Sequence, residues 1–171
     1  MKIKKVSPND AEELLKIYSY YVEQTAISFE CKTPTVEEFT ERIKKVLEKY
    51  PYIAAEVDEK IVGYAYAHEF VGREAYKYSA ELTIYLDRNF TGKGIGRKLY
   101  EELENKLKST GITNLYACVG YPEVEDEYLT LNSVNFHEHL GFKTVGKFFK
   151  CGCKFNRRYS MVWLEKIISE C

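Results

Sequence analysis

The chain has 171 residues, 45% of them apolar, enough to bury the core of one domain, and no linker marks off a second. Its 25 lysines and arginines against 26 aspartates and glutamates leave a formal charge of -1, which excludes an overall electrostatic pull toward nucleic acid or anionic lipid. The basic start Met1-Lys2-Ile3-Lys4-Lys5 lacks the apolar stretch of a signal peptide, and no run of about 18 apolar residues follows, so the protein reads as cytoplasmic with no membrane span.

Lys2 to Val6 reads as a short strand. Ser7-Pro8-Asn9-Asp10 then combines a capping residue, a proline and an acid three positions on, which starts a helix carrying Ala11, Leu14, Leu15, Tyr18 and Tyr21 at helical spacing. Thr35-Val36-Glu37-Glu38 is a second capping box, opening a helix with Phe39, Ile43, Val46 and Leu47 on one face. Ile53 to Val57 and Lys60 to Phe70 flank Asp58-Glu59, a tight turn between antiparallel strands.

Tyr78 to Leu86 is the next strand. Glu81, Thr83 and Tyr85 alternate with Leu82, Ile84 and Leu86, giving a polar and an apolar face, with Glu81 on the polar one. Beyond the loop 87–93, Ile95, Leu99, Leu103 and Leu107 form the buried stripe of a helix ending near Gly111. Asn114 to Val119 is a strand and Ser133 to Leu140 a short helix closed by Gly141. Lys143 to Lys154 and Arg158 to Leu164 look like a final hairpin. The order βααβββαβαββ implies an α/β fold: a mixed sheet with helices on both faces.

The cysteines, Cys31, Cys118, Cys151, Cys153 and Cys171, are odd in number and lack paired CxxC spacing, so neither a disulfide framework nor a metal site is expected. Cys151-Gly152-Cys153 allows a redox pair, but in a strand it lacks the helical setting that tunes such thiols, and ordinary strand thiols are the expectation.

Thr91-Gly92-Lys93-Gly94-Ile95-Gly96 joins a strand to a helix. Glycines let a ligand approach the backbone closely, and the free amides of a helix start face outward at the positive end of its dipole. The turn therefore suits a pyrophosphate, with Lys93 and Arg97 adding charge; the alternative is a plain helix start with flexible glycines. The dipole gives only about 0.3 to 1 kcal/mol per interaction, so converging amides must supply most of the grip. A P-loop would need Gly-x4-Gly-Lys-Ser/Thr, and a dinucleotide fingerprint a parallel βαβ unit with a later acid; the turn fits neither.

These residues resemble the acyl-CoA signature of the GNAT acetyltransferase superfamily, which reads Gln or Arg, two residues, Gly, one residue, then Gly or Ala. Gly94 and Gly96 match, while Thr91 stands where Gln or Arg is usual. Along nearly the whole chain the sequence is similar to the phosphinothricin acetyltransferase group, in the stretches Tyr18–Glu30, Gly63–Ala67, Arg73–Tyr76, Glu81–Tyr85, Ser133–Phe142 and Gly152–Phe155 and at Trp163. The resemblance implies one GNAT domain over residues 1–171, with a mixed, mostly antiparallel sheet and splayed central strands that hold acetyl-CoA. No metal is implied.

It further implies that Glu81 is the catalytic carboxylate and that His137 either protonates the departing thiolate or helps with the amine proton. A backbone N–H among Leu82, Thr83 and Ile84, where the family strand bulges, would bind the oxyanion. Thr91, Gly92, Lys93, Gly94, Ile95, Gly96 and Arg97 would hold the cofactor. The family's CoA-binding asparagine falls at Thr130, with Asn132 a nearby substitute. Phe29, Arg73, Tyr76 and Tyr85 match acceptor positions, where a guanidinium beside tyrosines suits an amino-acid carboxylate or phosphinate. Two other histidines are given no role: His139 faces away from His137, and His68 reads as a polar strand end.

The acidic loop 121–132 is longer than its counterpart in the herbicide-modifying enzymes. Either it borders the acceptor or it is simply solvated. The implied function is direct transfer of acetyl from acetyl-CoA to the amine of a small amino-acid-like acceptor, of the phosphinothricin or methionine sulfone and sulfoximine type, by a homodimer that the final hairpin helps form. The alternatives are acetylation of a protein or peptide amine, and a non-catalytic acyl-CoA-binding interaction domain. The catalytic side chains Glu81 and His137 argue against the last.

Overall fold

A computed structural model describes residues 1–169; Cys171 lies outside them. The elements are β1 (Lys2–Lys5), α1 (Ala11–Gln24), α2 (Val36–Leu47), β2 (Tyr52–Val57), β3 (Lys60–Glu69), β4 (Ser79–Leu86), α3 (Ile95–Ser109), β5 (Asn114–Tyr121), α4 (Asn132–His139), β6 (Lys143–Lys154) and β7 (Arg157–Ile167). Seven strands and four helices make a mixed, mostly antiparallel α/β fold in the expected order. Short 3-10 turns at Pro8–Asp10, Glu74–Tyr76 and Arg88–Phe90 occupy stretches read as a helix start or as loop.

The chain divides into two compact parts. The first holds Met1–Tyr18, Pro34–Leu115 and a short stretch beginning at Ile167; the second holds Ser19–Thr33 and Tyr116–Lys166. In the first part both capping boxes form. The Ser7 N–H donates to the Asp10 carboxylate at 2.7 Å. The Thr35 N–H donates to Glu38 Oε2 at 2.8 Å while the Thr35 hydroxyl accepts from the Glu38 N–H at 3.2 Å, a cap contributing about 1 kcal/mol.

Strands β1, β2, β3 and β4 lie side by side in that order, each pair antiparallel. Asp58 and Glu59 take positive φ, 49° and 63°, in the two-residue turn that fixes the β2–β3 register. A register shift at Ala55/Glu56 interrupts that ladder, and the nearby Ile61 N–H donates to Glu13 Oε1 of α1 at 2.7 Å.

Tyr52, Tyr64 and Tyr66 share one face of the β2–β3 pair, where they meet Tyr18 of α1 and Phe39 and Ile43 of α2. Ile53, Ala65, Ala67 and Leu82 take the other face and are buried. α3 packs on β2 and β3 through Leu99, Leu103 and Leu107, each fully buried and each contributing about 1.5 to 3 kcal/mol.

In the second part the strand order is β5-β7-β6. Phe155 and Asn156, at φ 51° and 58°, turn β6 into β7. Two register shifts, at Thr144/Gly146 and Phe148/Gly152, break the hairpin, and at the second the Lys150 N–H donates to the Ser160 hydroxyl at 2.8 Å. Cys118, Cys151 and Cys153 are exposed thiols in β5 and β6.

Candidate active site

Glu81, Thr83 and Tyr85 point to one face of β4, as their spacing requires, but that face is not a solvent face. The ladder pairs Tyr85 with Tyr64, Thr83 with Tyr66 and Glu81 with His68, so the polar stripe of β4 continues into the aromatic face beneath α1 and α2. Tyr85 lies edge-on to Tyr18 at 4.9 Å and tilted to Tyr64 at 5.7 Å. A 50 Å³ cavity lies between Tyr18, Phe39, Arg42, Tyr64, Tyr66 and Tyr85. Burial pushes the phenols of Tyr52 and Tyr64 well above their usual range and takes Tyr66 to about 12, so these rings stay neutral.

The Glu81 side chain is 19% exposed. Burial raises its pKa, and only the nearby His68 pulls it back. A carboxylate raised in this way is a stronger base than one in water. The β3–β4 register runs without a shift from Glu69↔Ala80 to Gly63↔Leu86, so the bulge implied at Leu82 to Ile84 is absent from this ladder.

At the other end of β4, Asp87 caps the 3-10 turn Arg88–Phe90 by accepting from the Asn89 N–H at 2.8 Å. The Thr91 hydroxyl donates to the Arg88 carbonyl at 3.0 Å, so it ties the turn to itself. Gly92 and Gly94 have φ of 70° and 77°, and a Cβ built on either meets nothing within 4 Å. Gly94 is the N-cap of α3 and gives no side-chain cap to the amides of Ile95, Gly96 and Arg97. Lys93 and Arg97 are exposed, with the Lys93 ammonium 4.7 Å from the Phe90 ring centroid. Left-handed glycines, open space over the backbone and a helix start without a side-chain cap fit a pyrophosphate.

Of the expected acceptor residues, Arg73, Tyr76 and Tyr85 lie in the first part and Phe29 in the second. Arg73 is exposed and precedes the Glu74–Tyr76 turn; Tyr76 is 42% exposed, its ring edge-on to Phe70 at 6.0 Å. Tyr85 belongs to the tyrosine face instead. Phe29 sits in the second part, where its ring rests on Gly152 of β6 and lies 6.5 Å from Tyr159. The buried Lys154 ammonium donates to the Ser28 carbonyl at 2.6 Å and fixes the backbone next to Phe29.

Also in the second part, Asn132 is the first residue of α4, and its N–H donates to the Thr130 hydroxyl at 3.4 Å. His137 is 3% exposed and lies edge-on between Phe136 and Phe142, at 5.2 and 5.4 Å. Its Nδ1–H donates to the Ser133 carbonyl at 2.7 Å, and burial lowers its pKa. A neutral ring with its hydrogen on Nδ1 carries a lone pair at Nε2.

The acidic loop is built rather than merely solvated. Asp126 Oδ1 accepts from the N–H groups of Tyr128 and Leu129 at 2.8 and 2.9 Å. Its Oδ2 accepts from the Tyr159 hydroxyl at 2.8 Å and pairs with Arg157 at 2.9 Å. Arg157 also grips Glu127 with two hydrogen bonds of 2.8 Å. These partners outweigh desolvation and hold the Asp126 carboxyl at about 2.

The sequence reading missed His68 and the cavity lining contributed by Tyr18, Arg42, Tyr64 and Tyr66. The period-2 pattern Tyr64, Tyr66, His68 was a usable signal, since it places all three on one face of β3. The β3–β4 register was not readable, because nine residues, Phe70 to Tyr78, join the strands.

A strand carrying a largely buried carboxylate and leading through an amide-rich glycine turn into a helix fits an acyl-CoA-dependent transferase. The sequence model of the GNAT acetyltransferase domain matches residues 3–163. The chain belongs to this family and is an acetyl-CoA-dependent N-acetyltransferase. It is similar to the phosphinothricin N-acetyltransferase of Alcaligenes faecalis, with 31% identity over 98% of this chain and 80% of the relative. It is also similar to that of Streptomyces coelicolor, with 30% identity over 92% and 90%. The crystal structure of a GNAT superfamily phosphinothricin acetyltransferase from Sinorhizobium meliloti in complex with acetyl-CoA superposes with a TM-score of 0.90 at 27% identity, covering 99% of this chain and 89% of that one. Among the described residues, no helix is long and apolar enough to cross a membrane.

Proposed function

We propose that the chain transfers acetyl from acetyl-CoA to the α-amine of a small amino-acid-like acceptor of the phosphinothricin, methionine sulfone or methionine sulfoximine type, by direct attack with both substrates bound. The observation that carries this reading is Glu81, a largely buried carboxylate of raised pKa on the strand that leads into the glycine turn. The names of the relatives support the acceptor class.

The amides of Ile95, Gly96 and Arg97, with Thr91, Gly92, Lys93 and Gly94, hold the pyrophosphate of acetyl-CoA. Glu81 removes one proton from the acceptor ammonium. The amine lone pair attacks the thioester carbonyl, and a backbone N–H among Leu82, Thr83 and Ile84 stabilises the oxyanion. As the C–S bond breaks, the nitrogen gives up a second proton, the one the thiolate takes up. Tyr85 lines the acceptor site beside the tyrosine face, and the exposed Arg73 guanidinium is suited to pair with an acidic group of the acceptor. The enzyme works as a homodimer, a state supported by the exposed Phe148 and Phe149 on β6.

The test is an acceptor panel assayed for CoA release with acetyl-CoA, including phosphinothricin, methionine sulfone, methionine sulfoximine and a peptide with a free N-terminus. The reading expects the amino-acid analogues to be acetylated with a kcat/KM well above that of the peptide. A preference for the peptide overturns it.

A further inference from the structure

Across the β3–β4 ladder His68 is the direct partner of Glu81, so the two side chains leave the sheet on the same face. Nε2 of the ring lies 3.8 Å from Glu81 Oε1. Nδ1 lies 3.1 Å from the carbonyl oxygen of Glu69. A carbonyl only accepts, so Nδ1 carries a hydrogen, and the neutral ring turns a lone pair at Nε2 toward the carboxylate. With Glu81 ionised and His68 neutral, two acceptors face each other. One added proton joins them.

His68 is the more exposed of the two, at 34% against 19%. It lines an open cleft of 350 Å³ together with Lys45, Glu48, Lys49, Tyr50 and Glu69. The reaction itself supplies a proton that has to leave. An ammonium nitrogen with three hydrogens becomes an amide nitrogen with one; CoA thiol keeps one of the two released, and the other must reach solvent in every turnover. Glu81 receives that proton in a largely buried position.

We propose that His68 is the proton outlet of Glu81, a positioning residue that takes the proton from the carboxyl at Nε2 and releases it into the 350 Å³ cleft. The proposal rests on Glu81 being the base. First an ammonium N–H bond breaks, its electron pair stays on nitrogen, and an O–H bond forms at Glu81. Then that O–H bond breaks as an N–H bond forms at Nε2, which leaves carboxylate and imidazolium. Finally the imidazolium loses the proton to water. The present separation exceeds a hydrogen bond by roughly 1 Å, so transfer uses a small closure or one bridging water.

The other ionisable groups around the pair are Tyr66 beside it on β3, Tyr100 of α3, Tyr50, Glu69, Lys45, Glu48 and Lys49. Burial keeps Tyr50, Tyr66 and Tyr100 neutral. Among these groups, His68 is the one that stands directly opposite Glu81 in the ladder.

The experiment compares wild type, H68Q, H68A and E81Q in pH–rate profiles with the best acceptor of the panel, and repeats H68A with added imidazole. H68Q is expected to lower kcat roughly tenfold or more with the KM for acetyl-CoA unchanged. Removing a group that becomes cationic raises the pKa of Glu81, so the acid limb of kcat/KM moves up by about one pH unit. H68A is expected to regain rate in proportion to imidazole, which a packing defect would not do. H68Q with the wild-type kcat and profile overturns the outlet, as does a slow H68A that melts like wild type and ignores imidazole. If E81Q is inactive while H68Q is normal, the outlet alone is lost. If E81Q is fully active, the base assignment falls and takes the outlet with it.

Discussion

Glu81 and Asp126 are both carboxylates with little exposure, at 19% and 17%, yet the two parts of the chain treat them in opposite ways. Asp126 is surrounded by donors: two backbone amides, the Tyr159 hydroxyl and the Arg157 guanidinium. Its charge is satisfied and its pKa falls to about 2. Glu81 has a distant imidazole and aromatic surroundings, and its pKa rises. A satisfied carboxylate locks a loop in place but has lost its appetite for a proton. One left short of partners destabilises the fold and keeps its basicity, the expected trade at a working site.

The contrast can be broken most sharply at Glu81. Glu81→Gln is expected to lower kcat by roughly 10²- to 10⁴-fold while acetyl-CoA affinity by calorimetry stays near wild type; unchanged turnover ends its role as base. Gly94→Val comes next. Its φ of 77° is strained for a β-branched residue, so the start of α3 that offers the free amides would have to shift. Acetyl-CoA should bind roughly tenfold more weakly, and equal affinity would refute the amide cradle.

Asp126→Asn tests the other side of the comparison. It should cost on the order of 2 kcal/mol in urea denaturation at neutral pH, discounted for the partial exposure of Arg157. Because the folded pKa is depressed, the contribution of Asp126 is present above the usual carboxylate range, near pH 4, and fades as pH falls toward 2. Wild type and variant should therefore converge in acid. The smallest effect has the opposite sign. With a raised folded pKa, ionised Glu81 opposes folding as pH climbs through that value, so Glu81→Gln should raise the melting temperature slightly at neutral pH and not at pH 4. A drop in Tm at neutral pH would show that Glu81 is a structural group.

Local chemistry was readable from the sequence where neighbours in the chain decide it. Thr35 and Glu38 cap a helix because they stand three positions apart, and Gly94 takes a left-handed φ where a loop must enter α3. The Glu81 alternation was equally plain, but its meaning was not. The polar face of β4 turned out to be an aromatic interior, because Tyr18, Phe39 and Tyr64 converge on it from far along the chain. His68 was passed over for the same reason: its partner is set by a register that no short turn fixes. The acidic loop kept its design hidden in Arg157 and Tyr159, some thirty residues downstream of Asp126 and Glu127. Arg73 and Tyr76 match acceptor positions in sequence, and in the structure they flank a short exposed 3-10 turn before β4.

The contact between Phe29 and Gly152 gives the protein an adjustable dimension. A methyl group added at Gly152 would fall 2.8 Å from Cδ2 and 2.9 Å from Cζ of the Phe29 ring, while Lys154 clamps the neighbouring backbone, so the ring rather than the chain would have to swing. Position 152 thus acts as a set screw for a side chain more than a hundred residues earlier. A side chain at position 152 would turn that one aromatic ring while leaving Glu81 and the glycine turn untouched.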